Sequence, residues 1–146
     1  MTTLVIDASV AIKWIIEEQG TIEALELSRR ATLIAPDLIM IECANTLWKK
    51  CQRGELSKDE AAFAARLLQA AEIELIPTRS LCEAATRLSI ELGHPAYDCL
   101  YLALAVANEC PFVTADEGFL RKLGQSRRGP FRGRAISLTE ATAGNL

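Results

Sequence analysis

Four acidic residues, Asp7, Glu42, Asp98 and Asp116, stand where a carboxylate is hard to place on an ordinary solvated surface. Asp7 ends the apolar run Leu4-Val5-Ile6, and Asp116 follows Phe112-Val113-Thr114. Asp98 comes just after the turn Gly93-His94-Pro95 and ahead of the apolar stretch from Leu100 to Ala107. Glu42 interrupts an apolar run, between Leu38-Ile39-Met40-Ile41 and Cys43-Ala44. A carboxylate is costly to bury without a partner. Held close together, four of them would repel and raise one another's pKa. The partner that relieves this is a hard divalent cation, and an oxygen-only donor set suits Mg2+ or Mn2+ over Zn2+. Such ions activate water and stabilise the charge of phosphoryl transfer.

Each acid also has a plainer reading. Asp7 fits an Asx turn into the next helix. Glu42, Asn45 and Lys49, at i, i+3 and i+7, form a narrow polar stripe that would face either water or a polar pocket. Asp98 is favoured by the dipole at a helix start. Asp116 can cap a helix over Glu117 to Leu123. Ser9 is expected as the N-cap of the first helix, with a hydroxyl that could also meet a metal-bound water. Thr114 puts a second hydroxyl at a strand end. His94, the single histidine, sits in a Gly-His-Pro turn and reads as a turn or cap residue. No GxSxG, Walker A or GxGxxG sequence is present, so a serine triad or a nucleotide cradle has no support.

The elements that must position these groups alternate between short β-branched runs and longer helical ones. Leu4 to Asp7 reads as a strand, Ser9 to Glu18 and Thr21 to Ala31 as helices, and Leu33 to Ala35 as a short strand. Pro36-Asp37 opens a helix to about Arg53, closed by Gly54. Ser57-Lys58-Asp59-Glu60 has the form of a capping box for a helix to about Ala71. Ile73 to Ile76 reads as a strand, and Ser80 to Leu92 as a helix with Gly93 beyond its end. Pro95 is expected at the first position of a helix to about Glu109. Phe112 to Thr114 is a strand, Asp116 to Leu123 a short helix, Gly124 to Gly133 a loop, and Ala135 to Leu138 a last strand. This alternation predicts an α/β domain with a mostly parallel sheet. In such sheets, sites lie beyond the carboxyl ends of the strands, where Asp7 and Asp116 both fall.

The chain has 146 residues, which fits a single domain over 1–146 with a full core. Half the residues are hydrophobic and 24% charged, a globular balance. No run is long and apolar enough to span a bilayer, and the start carries no basic leader, so a cytoplasmic protein without membrane contact is expected. The cysteines, Cys43, Cys51, Cys82, Cys99 and Cys110, are odd in number and lack CxxC spacing, so they read as reduced and mostly buried. Net charge is −3, which argues against nucleic acid. Against that, Arg121, Lys122, Arg127, Arg128, Arg132 and Arg134 gather in one acid-free stretch that could hold phosphates. Trp14 and Trp48 are expected in the core or at an interface.

With these residues in place, the chain resembles the PIN-domain family, specifically the VapC-type toxins of bacterial toxin–antitoxin pairs. Val5-Ile6-Asp7-Ala8-Ser9 is similar to the family's first motif, and Pro36-Asp37-Leu38 with Glu42, Asn45 and Leu47 to its second. Pro95-Ala96-Tyr97-Asp98-Cys99-Leu100-Tyr101-Leu102-Ala103-Leu104-Ala105 matches the third and most specific, and Phe112-Val113-Thr114-Ala115-Asp116 the fourth. The resemblance implies a three-layer α/β/α domain and a Mg2+- or Mn2+-dependent endoribonuclease. It implies Asp7 and Asp98 as principal metal ligands, Glu42 and Asp116 completing the cluster directly or through water, and Ser9, Asn45 and Thr114 as supporting polar groups. It further implies a homodimer and a cognate antitoxin. Lys13, Lys49 and the late arginines would then hold a single-stranded or looped RNA backbone. Two other readings stay open: a non-catalytic module that uses the acidic pocket for a basic peptide, and a PIN nuclease acting on DNA or in stable-RNA maturation.

Overall fold

The structure is a computed structural model that describes residues 1–125 and 133–144. Its centre is a five-stranded, all-parallel sheet in the order β3-β2-β1-β4-β5. The strands are β1 (Thr2–Ile6), β2 (Ala31–Pro36), β3 (Glu74–Ile76), β4 (Phe112–Thr114) and β5 (Ala135–Ser137). The helices are α1 (Ala8–Ile15), α2 (Thr21–Arg30), α3 (Leu38–Gln52), α4 (Lys58–Gln69), α5 (Cys82–Leu92), α6 (Ala96–Ala107), α7 (Glu117–Gln125) and α8 (Leu138–Ala143). A 3-10 turn over Thr78–Leu81 leads into α5. The α/β class and parallel sheet expected from the alternation are both present.

The sheet is apolar because it is covered by helices. Leu4, Val5 and Ile6 of β1 and Phe112 and Val113 of β4 are fully buried. Alpha6 packs against β1, β2 and β4, and its run from Cys99 to Ala105 is buried throughout. Burial of both helix and strands explains why this part of the chain reads as nearly continuous hydrophobic sequence. Helices α1 to α4 form a second group, in which α1 touches each of the other three and α3 packs on α4. Gly93 (φ 61°) ends α5 in the left-handed region, the conformation glycine adopts at least cost. The capping box at α4 is complete: Glu60 N donates to Ser57 Oγ (3.1 Å), and Ser57 N to Glu60 Oε1 (2.9 Å).

Several local expectations need correction: α1 ends at Ile15 and not at Glu18, and Pro95 is the N-cap of α6 and not its first residue. Asp7, not Ser9, is the N-cap of α1: its carbonyl accepts from Val10 N (3.2 Å) and Ala11 N (3.1 Å), so the helix begins earlier. Beta2 begins at Ala31, because Ala31 and Thr32 pair with Thr2 and Thr3 of β1. Leu138 begins α8 and does not end β5. Ser137 Oγ accepts from Glu140 N (3.0 Å), a cap that the Ser-x-x-Glu spacing offered and that the strand reading passed over.

Candidate active site

Strand order decides where this fold can hold a site. From β1 the chain steps to β2 and β3 on one side, then crosses to β4 and β5 on the other. The crevice between β1 and β4, at their carboxyl ends, is therefore the topological switch point. Register fixes what faces it. Ile6 pairs with Val113, so Asp7 and Thr114 emerge side by side.

Asp7 and Thr114 are both buried, and they meet. Thr114 Oγ1 donates to Asp7 Oδ2 (2.5 Å), and Ser9 Oγ donates to Asp7 Oδ1 (2.5 Å). Each hydroxyl also accepts a backbone amide from the segment after β4: Ala115 N to Ser9 Oγ (2.9 Å) and Asp116 N to Thr114 Oγ1 (3.0 Å). A hydroxyl has one hydrogen, and here both hydrogens are committed to the Asp7 carboxylate. Burial still dominates and pushes Asp7 up to about 6. The two hydroxyls pull the other way, and the charge of Asp98 raises it further.

Glu42 and Asp98 approach from helices. Glu42 is half-buried on α3, and Tyr101 Oη, reaching across from α6, donates to its Oε1. Burial raises the Glu42 pKa; the Tyr101 bond opposes that and the Asp98 charge adds to it. Burial and the Glu42 carboxylate together hold the Tyr101 phenol well above its usual range, so it stays a donor. Asp98 lies in the first turn of α6, and its Oδ2 is 2.5 Å from His94 Nε2. Asp98 thus acts electrostatically on both Asp7 and Glu42, which puts three of the four predicted acids in one neighbourhood.

The fourth acid is placed differently. Asp116 is exposed, and its Oδ1 accepts from Phe119 N (3.0 Å), capping α7. Only its backbone joins the network, through Thr114. Asn45 is exposed and shares a cleft of about 440 Å³ with Glu42, Ile41, Lys49 and Tyr97. Among the described residues, no three His, Cys, Asp or Glu side chains converge closely enough to hold an ion by themselves. The donor chemistry nonetheless suits a hard cation: the donors are carboxylate oxygens, and the charge of Asp98 raises the pKa of both Asp7 and Glu42. Mg2+ in particular binds through one or two carboxylates and keeps several waters, which does not require a closed cage.

Two contacts were missed in the sequence. Tyr101 and His94 each hold one candidate acid. A signal existed for Tyr101, since a phenol inside an apolar helix run needs a partner. For His94 the i, i+4 spacing to Asp98 was legible only once both residues were given positions around one helix start. Lys13 is not free to hold a phosphate backbone: its Nζ is bound to Glu18 Oε1 (3.1 Å) and Gln19 O (2.7 Å). In the basic stretch, Lys122 Nζ donates to Gly93 O (2.7 Å) and Arg134 Nη1 to Cys110 O (3.4 Å). Arg127, Arg128 and Arg132 lie outside the described residues. Cys43, Cys99 and Cys110 are buried, Cys51 is half-buried and Cys82 exposed, all as free thiols. Trp14 is half-buried with Nε1 on Ala24 O (2.8 Å), whereas Trp48 is 56% exposed. Among the described residues no helix is long and apolar enough to cross a membrane.

Comparison with known proteins agrees with this fold. The PIN domain family model matches residues 4–124. A VapC ribonuclease of Mycobacterium bovis (Mb0985) and ribonuclease VapC9 of Mycobacterium tuberculosis are each 30% identical over 113 residues, which is 77% of this chain and 85% of theirs. Two solved structures share the fold. PAE2754 from Pyrobaculum aerophilum has a TM-score of 0.73 at 20% identity, over 97% of this chain and 88% of that one. VapBC2 from Rickettsia felis, bound to a DNA fragment from its promoter, has a TM-score of 0.63 at 16% identity, over 93% and 98%. The family match spans all four acid-bearing segments, and the chain belongs to the PIN-domain family, among its VapC-type members.

Proposed function

We propose that this chain is a single-domain, metal-dependent endoribonuclease that serves as the toxin of a toxin–antitoxin pair. The observation that carries the reading is Asp7: a buried carboxylate at the switch point of the sheet, held by two hydroxyls and facing the charge of Asp98. The ribonuclease names of the VapC relatives support RNA as the substrate, and the resemblance to VapC-type toxins implies an antitoxin as the partner. Asp7 and Asp98 would hold Mg2+ or Mn2+, with Glu42 and Asp116 contributing directly or through water. A bound cation would supply Lewis-acid stabilisation of the charge that develops on a scissile phosphate. Ser9 and Thr114 keep Asp7 ionisable and fixed in orientation, and Tyr101 does the same for Glu42. Among the described residues, Lys49, exposed in the cleft beside Asn45, is a cation well placed to meet an RNA backbone. A cytoplasmic homodimer neutralised by its antitoxin completes the proposal.

The test is cleavage of single-stranded RNA by purified protein with Mg2+ or Mn2+, with and without chelator, beside single-stranded DNA of the same sequence. RNA cleavage that is lost with chelator and in Asp98→Asn is expected. Metal-independent cleavage, or full activity in Asp98→Asn, would reject the mechanism, and preference for DNA would reject the substrate.

A further inference from the structure

His94 lies in a turn, yet more of the surrounding structure fixes it than a turn requires. Gly93 supplies the left-handed corner before it, and the Gly93 carbonyl is held by Lys122 Nζ at 2.7 Å. The His94 carbonyl accepts from Ser89 Oγ at 2.5 Å, and its amide donates to Ser89 O at 3.2 Å. The ring is largely buried and packs on Phe119 of α7, with centroids 4.6 Å apart. Backbone, carbonyl and ring are thus clamped from α5 and α7, leaving Nε2 aimed at Asp98 Oδ2 at 2.5 Å.

An ionised carboxylate can only accept, so Nε2 carries the hydrogen in this contact. The bond occupies one oxygen of Asp98 and stops the carboxylate from rotating about its terminal torsion, which is otherwise soft. A carboxylate that must present one chosen oxygen to a cation gains most from such a clamp, and hydrogen-bond partners of ligating groups typically control metal affinity by 10- to 100-fold.

We propose that His94 is a positioning residue: its Nε2–H fixes the Asp98 carboxylate so that Oδ1 is presented for cation binding. The proposal rests on the metal-site reading above and adds to it a residue outside the acidic set.

The experiment is calorimetric titration of Mn2+ into the purified chain and three variants, with thermal melts of each. His94→Phe keeps a ring against Phe119 and removes the donor. His94→Asn is too short to reach Asp98. His94→Gln keeps an N–H donor. About a tenfold or greater loss of Mn2+ affinity is expected in His94→Phe and His94→Asn, and within a few-fold of wild-type affinity in His94→Gln. Wild-type affinity in either donor-breaking variant that melts as a folded protein would overturn the role of His94 and leave the metal site standing. Absence of Mn2+ binding by the wild-type chain would overturn both.

Discussion

Asp7 and Asp116 occupy the same kind of place, just beyond a parallel strand and at the start of a helix, yet they end in opposite environments. Asp7 is buried, and both of its carboxylate oxygens accept hydroxyl hydrogens from Ser9 and Thr114. Asp116 is exposed, and its carboxylate caps the helix that follows. What separates them is the neighbouring chain. Asp7 leaves the central strand, with β2 and β4 on either side, while β4 has only the short β5 beyond it. Strand-end position brings an acid to the crevice; the packing around it decides whether the charge is held in reserve or used to finish a helix.

The sharpest way to break this comparison is activity. Asp7→Asn is expected to lower metal-dependent RNA cleavage by roughly a thousandfold, the equivalent of about 4 kcal/mol of transition-state stabilisation. Asp116→Asn should fall well short of that loss, because its carboxylate is exposed and already engaged in capping α7. Equal losses in the two variants, measured as kcat/KM on one substrate, would erase the distinction.

Stability against pH is the next largest effect. Folding raises Asp7 from its ordinary 3.8 to about 6. Between those values the folded chain holds a proton that the unfolded chain has released, so stability declines as pH rises from about 4 to about 6. The decline owed to this group is on the order of 3 kcal/mol and is complete a little above pH 6. Urea unfolding in metal-free buffer, wild type against Asp7→Asn, should show that difference in slope, and parallel curves would contradict it.

Thr114→Val sharpens the comparison from the other side. It strips one hydrogen from the Asp7 carboxylate and leaves Asp116 N without its acceptor, so a loss of about 2 kcal/mol in stability is expected from urea unfolding at neutral pH. The smallest effect belongs to the cap: Asp116→Ala should cost about 1 kcal/mol, seen as a modest fall in Tm.

Much of this arrangement was legible beforehand, and the exceptions share a cause. Asp7 stood out at the end of an apolar run, Glu42 inside one and Asp98 at a helix start just ahead of one, and the parallel sheet followed from strand–helix alternation. Ser9 was misread as a cap because a serine after an aspartate offers two caps, and only the path of the chain chooses between them. The same serine then proved to be a donor to Asp7. Alpha8 was hidden because Ile136-Ser137-Leu138 continues the β-like run from Ala135 while Ser137 also starts a helix. Tyr101 and His94 carry contacts across α3–α6 and the turn before α6, and those distances are not written in spacing along the chain. Lys13 is taken up because α1 stops at Ile15, short of the Glu18 expected as its end, and in the segment beyond that stop Glu18 and the Gln19 carbonyl both meet its Nζ.

The direction of the hydroxyl hydrogens also sets the motion of the segment after β4. Ala115 and Asp116 belong to no strand or helix, and amides in such a stretch ordinarily trade their hydrogens with water quickly. Here both are fastened to side-chain oxygens whose own hydrogens point at Asp7. Two of the slowest-exchanging loop amides in the molecule should therefore lie in this irregular connection, and deuterium uptake there would report directly on the integrity of the crevice.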